Sequence, residues 1–141
     1  MRIEAHSPAS ALTDADVAVA AALAGARAVG DAYRGPVFRH AKGRGDFATD
    51  ADLASEQAIR AVLEAERPGD ALVGEEYGTA GPADARRRWY IDPLCGTLNF
   101  AAGTPPFCVN VALVEISETG ERTVATAVAD PLSDRGYDRE R

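Results

Sequence analysis

Apolar positions in the first half of the chain recur with a helical period, and those in the second half alternate. Val19, Leu23, Ala26, Gly30 and Tyr33 fall on one face of a predicted helix. Thr13 and Asp16 make a T-x-x-D capping box at its start, Leu12 is placed to staple onto Val17, and Gly35-Pro36 ends it. The stretch is rich in small residues, which allows close packing against a neighbour. A second helix is expected from Thr49, with a capping box to Asp52. Ser55, Ile59, Val62, Leu63 and Glu66 share its face, and Pro68-Gly69 stops it. Residues 1–11 read as a loose leader and residues 35–48 as a Gly-rich connection.

From residue 71 onward the pattern is that of strands. Residues 71–74 and 88–94 read as short strands. Residues 107–116 alternate, with Phe107, Val109, Val111 and Leu113 on one face, and residues 123–129 follow after Thr119-Gly120. A last short strand is expected to begin at Arg135. Two helices followed by short-linked strands predict an α+β fold, with the helices packed on a largely antiparallel sheet. That layout leaves the sheet with an exposed edge and an uncovered face.

Composition then narrows the function classes. With 46% hydrophobic and 26% charged residues among 141, the chain suits one globular domain rather than a disordered segment. A formal net charge of -7 argues against nucleic acid, whose phosphates need clustered Lys and Arg. No apolar run is long enough to span a membrane, and the N-terminus does not read as a signal peptide, so a cytoplasmic protein without a membrane partner is expected. Cys95 and Cys108 have no zinc-like spacing and read as reduced thiols.

Three segments carry candidate chemistry: the stretch from Lys42 through Asp46 and Thr49 to Asp52, then Gly74-Glu75-Glu76, then the stretch from Trp89 to Phe100. In the last, the strand ending at Ile91 delivers Asp92 into a turn shaped by Pro93 and Gly96. Asp92, the Leu94 carbonyl and Thr97 can then face one small space, and Glu75 joins them if its strand is a neighbour. Two carboxylates, a carbonyl and water suit a hard cation such as Mg2+. Taken singly, each segment has a plainer reading. Asp92-Pro93 is an ordinary turn, Glu75-Glu76 a solvated charge pair, and Asp46 and Asp52 helix-start residues. Arg86, Arg87 and Arg88 read as an exposed turn, and His6 and His40 as residues without a ligand role.

Together the three segments resemble the inositol monophosphatase family, whose pattern is K-x-x-x-D-x-x-T-x-x-D, then G-E-E, then W-x-I-D-P-[LI]-D-G-T-x-N-F. The matching residues are Lys42, Asp46, Thr49 and Asp52, then Gly74, Glu75 and Glu76, then Trp89, Ile91 to Leu94, Gly96, Thr97, Asn99 and Phe100. The resemblance implies the first half of that family's layered α/β sandwich, with residues 1–141 as an N-terminal metal-binding domain. It implies Glu75, Asp92 and the Leu94 carbonyl as metal ligands, and the Thr97 hydroxyl, together with Glu75, as the catalytic groups that orient the attacking water. Gly96 and Thr97 match the backbone that contacts substrate phosphate. Asp46 and Thr49 match outer catalytic positions on a mobile loop, with Lys42 a basic residue beside them. The implied chemistry is Mg2+-dependent hydrolysis of a small phosphate monoester by metal-activated water, with Mn2+ as a substitute ion.

Two departures qualify it. Cys95 stands where the family has a metal-binding aspartate, and a neutral thiol is a poor ligand for Mg2+. Reduced metal occupancy and weak or lost turnover are therefore expected, with Cys95 mainly filling the aspartate's place and a reactive thiol as the other reading. Family members also run about twice as long, and the W-D-x-x-A-G segment of their C-terminal half is not found here. A second copy or a separate C-terminal partner is expected to cover the open sheet. The alternative function is a catalytically inactive relative serving as an interaction or regulatory module.

Overall fold

The computed structural model describes residues 11–44 and 46–133. Helix α1 spans Asp14–Ala32, and its capping box forms as expected, with Thr13 and Asp16 each receiving the other's backbone N–H. Leu12 stays 43% exposed. The buried face is Val17, Ala18, Ala21, Ala22, Gly25, Ala26 and Val29. It is rotated from the predicted one, and Val19, Leu23 and Tyr33 lie only at its margin. The cause is close helix packing. A Cβ on Gly25 would stand 2.7 Å from Ser55 Oγ and 2.8 Å from Ile59 Cδ1, so the small residues face inward where the larger ones cannot fit.

Helix α2 spans Asp50–Glu66, capped by Thr49 with Asp52 as the reciprocal partner. Its buried residues are Ala51, Asp52, Ser55, Glu56, Ile59 and Leu63, while Val62 is half-buried and Glu66 exposed. The C-terminal part of this face serves the core and the N-terminal part serves a polar cluster. The predicted connection over residues 35–48 is instead largely a two-stranded hairpin, β1 (Arg39–Gly43) with β2 (Asp46–Thr49). Exposed Arg39, Lys42 and Asp46 masked its alternation, and Arg39 lies over the Phe47 ring at 4.5 Å.

The main sheet contains β3 (Ala71–Gly74), β4 (Gly78–Ala80), β5 (Arg87–Cys95), β6 (Cys108–Ser117) and β7 (Gly120–Ala129), in the order β4-β3-β5-β6-β7. All neighbours are antiparallel except β3 and β5, which run parallel. β4 was not foreseen, being a three-residue strand after the Glu-Glu turn. Phe107, Val109, Val111 and Leu113 are all buried, as their alternation predicts. They form one core with Trp89, Ile91, Ile59, Leu63 and the small residues of α1. Trp89 is fully buried and donates its Nε1–H to Asp70 Oδ2 at 2.9 Å.

Arg87 does not sit in an exposed turn. It opens β5 and bonds Asp14 of α1, Asp70 and Glu115 of β6, while Arg67 at the end of α2 also bonds Asp14. The bond from Arg87 holds the Asp14 carboxyl below its ordinary range. His40 bonds Asp50, and His6 and the strand expected at Arg135 lie outside the described residues. The opposite face of the sheet carries Val73, Tyr90, Ala112, Thr126 and Val128, with Tyr90 38% and Val128 54% exposed. Among the described residues no helix is long and apolar enough to cross a membrane.

Candidate active site

The parallel pairing of β3 and β5 sets the site. Gly74 is the register partner of Ile91, so Glu75 and Asp92 are the next residues of neighbouring strands. Adjacent strands lie about 4.8 Å apart, which brings the two carboxylates together at the strands' C-terminal ends. The expected carboxylate pair is present, and its members feel each other. Burial pushes the Glu75 carboxyl up, and the Asp92 charge raises it further. Burial likewise raises Asp92, while Asn110, Cys95 and the Leu94 amide pull it back. Asp92 Oδ1 is nonetheless buried with no hydrogen-bond partner.

After Asp92 the ladder slips. The register between Asp92 and Cys95 is irregular against Asn110 and Cys108, one more residue being fitted into β5. Pro93 and Leu94 are buried in this bulge, and the Pro93 carbonyl accepts the Ser55 hydroxyl at 2.7 Å. Gly96 then turns the chain with φ +93°, and α3 (Thr97–Ala101) begins without a side-chain cap. A Cβ at Gly96 would lie 2.9 Å from the Pro106 carbonyl oxygen, so glycine is needed for both reasons.

Thr97 Oγ1 stands 3.0 Å from Asp52 Oδ1 and 3.0 Å from the Leu94 carbonyl. Its single proton goes to one of them at a time, and the carboxylate is the stronger acceptor. Asp52 is 1% exposed, and its Oδ2 receives the Thr49 amide at 2.8 Å and the Thr49 hydroxyl at 2.6 Å. The cap of α2 therefore doubles as the anchor of Thr97, a function that the capping motif alone did not reveal. From the sequence alone Asp52 is a family-pattern position and a helix-start residue, with no sign of its bond to Thr97.

Glu56 was missed altogether. Its side chain is 0% exposed and its carboxylate receives the Glu76 amide at 2.7 Å, the Tyr77 amide at 3.1 Å and Arg60 Nε at 2.8 Å. It clamps the turn that carries Glu75. Gly74 makes room for it, since a Cβ there would fall 2.0 Å from Glu56 Oε1. The available signal was an acid one helical turn after Asp52, on the face that continues into Ile59 and Leu63.

The remaining predicted residues lie further out. Lys42 on β1 pairs with Glu76 at 2.6 Å, and the charges of Glu75 and Asp46 also act on it. Asp46 is exposed, and its Oδ1 accepts the amide of Phe47 at 2.9 Å. Thr49 is buried and engaged with Asp52. The Cys95 residue is exposed, yet partial desolvation of its thiol pushes the pKa up, helped by the Asp92 charge and by Cys108. Glu75 and Asp92 open onto a hollow of about 630 Å³ on the helix-free sheet face, shared with Tyr90, Asn110 and Val128.

The donor set fits one hard cation in part. An orphaned buried carboxylate oxygen, a second carboxylate raised by burial and then by its neighbour's charge, and a carbonyl at the same turn are what such an ion takes as ligands. Among the described residues no three His, Cys, Asp or Glu side chains are arranged to hold a metal.

Strands that deliver paired acids to a bulged turn, backed by a capped helix holding a threonine hydroxyl, define a layered α+β unit with an acidic turn at the end of its sheet. The sequence matches the inositol monophosphatase family over residues 11–140, and the chain belongs to that family. It is 49% identical over 83 residues to a glucose-1-phosphate thymidylyltransferase of Streptomyces griseus, covering 59% of this chain and 31% of that one. It is 38% identical over 125 residues to a fructose-1,6-bisphosphatase/inositol-1-monophosphatase of Aquifex aeolicus, covering 86% of this chain and 45% of that one. In structure it resembles the extragenic suppressor protein suhB of Bartonella henselae, with TM-score 0.73, 32% identity, and coverage of 82% and 44% of the two chains. The chain thus spans less than half the length of these relatives.

Proposed function

We propose that this chain carries the metal- and water-handling half of a phosphate monoesterase, with Mg2+ as the cation and a small phosphorylated metabolite such as an inositol phosphate as substrate. The observation that carries the reading is the Thr97 hydroxyl, held at 3.0 Å by buried Asp52 beside the Glu75–Asp92 pair. Glu75, Asp92 and the Leu94 carbonyl would hold the ion. When bound, it supplies positive charge that offsets the phosphate and acidifies water.

The chain's own residues do the rest. Thr97 Oγ1 gives its proton to Asp52 Oδ1, which leaves its lone pairs directed at a water molecule. As that water loses a proton to Oγ1, the hydroxyl's own proton passes to Asp52 Oδ1, and the bonds from Thr49 to Asp52 Oδ2 hold that carboxyl in place. The turn at Gly96 and Thr97 presents backbone N–H groups without a capping side chain, suited to phosphate oxygens. Lys42, paired to Glu76, brings a cation to the rim of the site. Cys95 lowers the ion's occupancy, so turnover is weak relative to a chain with aspartate there.

Phosphate release from inositol 1-phosphate, measured with Mg2+ and with Mn2+, tests the reading. Release that depends on the cation and vanishes in Asp92→Asn is expected. No release from inositol, fructose or histidinol phosphates, with cation binding intact, would leave the second reading. In that reading the chain is an inactive relative that engages a partner, favoured by Cys95 and by exposed Tyr90 and Val128 on the open face.

A further inference from the structure

Strand β5 ends at Cys95 and β6 begins at Cys108, and the two cysteines are register partners across the antiparallel pair. Opposed residues in such a pair have Cα atoms about 4.5–5.5 Å apart, within the span of roughly 4.4–6.8 Å that a disulfide bridges. Both thiols are free. The connection between them is held at its base. The Asn99 amide donates to the Pro106 carbonyl at 2.8 Å, and the backbone at Gly96 lies against Pro106 and Phe107. The strand ends that carry the two sulfurs are therefore kept side by side.

We propose that Cys95 and Cys108 form a reversible dithiol–disulfide modification site, oxidised by a low-molecular-weight disulfide of the glutathione class. Exposed Cys95 reacts first. Its sulfur attacks the small disulfide, forms a mixed disulfide and releases one small thiol. Half-buried Cys108 then attacks the Cys95 sulfur, closes the intrachain bond and releases the second small thiol. The two protein thiols lose two electrons and two protons, and the small disulfide gains both. The bond would replace the contact of Cys108 Sγ with Asn110 Oδ1 at 3.7 Å and draw Cys95 from Asp92, fixing the bulged turn to β6. This goes beyond the hydrolytic reading, and its test reads sulfur chemistry alone.

The test treats the full chain with oxidised glutathione, quenches with an alkylating reagent, and measures intact mass and linked peptides. The expected product is a monomer lighter by about 2 Da, two hydrogens, with one peptide pair joining Cys95 to Cys108, reversed by dithiothreitol. In Cys108→Ser the second step is blocked, so a glutathione adduct accumulates on Cys95. A lasting adduct on the unsubstituted chain, a disulfide-linked dimer, or two thiols still open to alkylation would each overturn the proposal.

Discussion

Replacing Glu56 by alanine removes the acceptor for three donors at once: the amides of Glu76 and Tyr77 and the guanidinium of Arg60. The acid's side chain is 0% exposed and that of Arg60 only 11%, so water cannot readily stand in. Breaking a buried pair by removing one partner costs about 3–5 kcal/mol, because the other charge is stranded. Unmet backbone donors cost roughly 1–3 kcal/mol each when buried, but Glu76 and Tyr77 are only partly so, and the terms overlap. A total near 3–5 kcal/mol follows, which for a chain of this size lowers Tm by about 10–20 °C. Glu56→Gln keeps the shape and one acceptor and should lose about 1–2 kcal/mol. Urea unfolding followed by far-UV circular dichroism gives both values. The same loosened turn carries Glu75, so Mg2+ affinity measured on the folded fraction should fall as well. A loss under about 0.5 kcal/mol for the alanine variant would refute the clamp, since surface changes alone stay within that range.

Three further outcomes are expected. Cys95→Asp adds a third carboxylate and should tighten Mg2+ binding about tenfold, read by calorimetry; unchanged affinity means that position 95 does not face the ion. Thr97→Val leaves Asp52 Oδ1 and the Leu94 carbonyl without their donor, lowering stability by about 1 kcal/mol and phosphate release by about 100-fold, with Thr97→Ser restoring most of both. The carboxyls of Glu75 and Asp92 are raised in the folded state, so the cation-free fold binds their protons more tightly than the unfolded chain. Their effect is a stability gain as pH falls from neutral through the raised values; Asp14, held low by Arg87, instead gives stability above its unfolded pKa that is lost at lower pH. The urea midpoint at about pH 5.5 should thus exceed that at pH 7, while Mg2+ affinity moves the opposite way because protons compete with the ion.

Elements with a strong period or a side-chain signature were legible in the sequence. The two capping boxes started α1 and α2 at Thr13 and Thr49, and the alternation from Phe107 gave the buried face of β6. What failed was set by tertiary contact. The buried side of α1 turned toward Gly25 because Ser55 and Ile59 approach it closely, which no periodicity of large apolar residues records. The β1–β2 hairpin was hidden by exposed side chains, and the parallel pairing of β3 with β5 is a matter of strand order. At the site, the motif residues could be named, but not that Asp52 holds Thr97, that Glu56 holds the Glu75 turn, or that Cys95 faces Cys108. These depend on which strands become neighbours.

Titrating Mg2+ into the unsubstituted chain, Glu75→Gln and Asp92→Asn by calorimetry addresses the shared-ion site most directly. Saturable binding of one ion at millimolar concentration, abolished in both variants while each retains its native circular dichroism, is the predicted result. Binding that survives in both folded variants, or none in the unsubstituted chain, would contradict a cation held between β3 and β5.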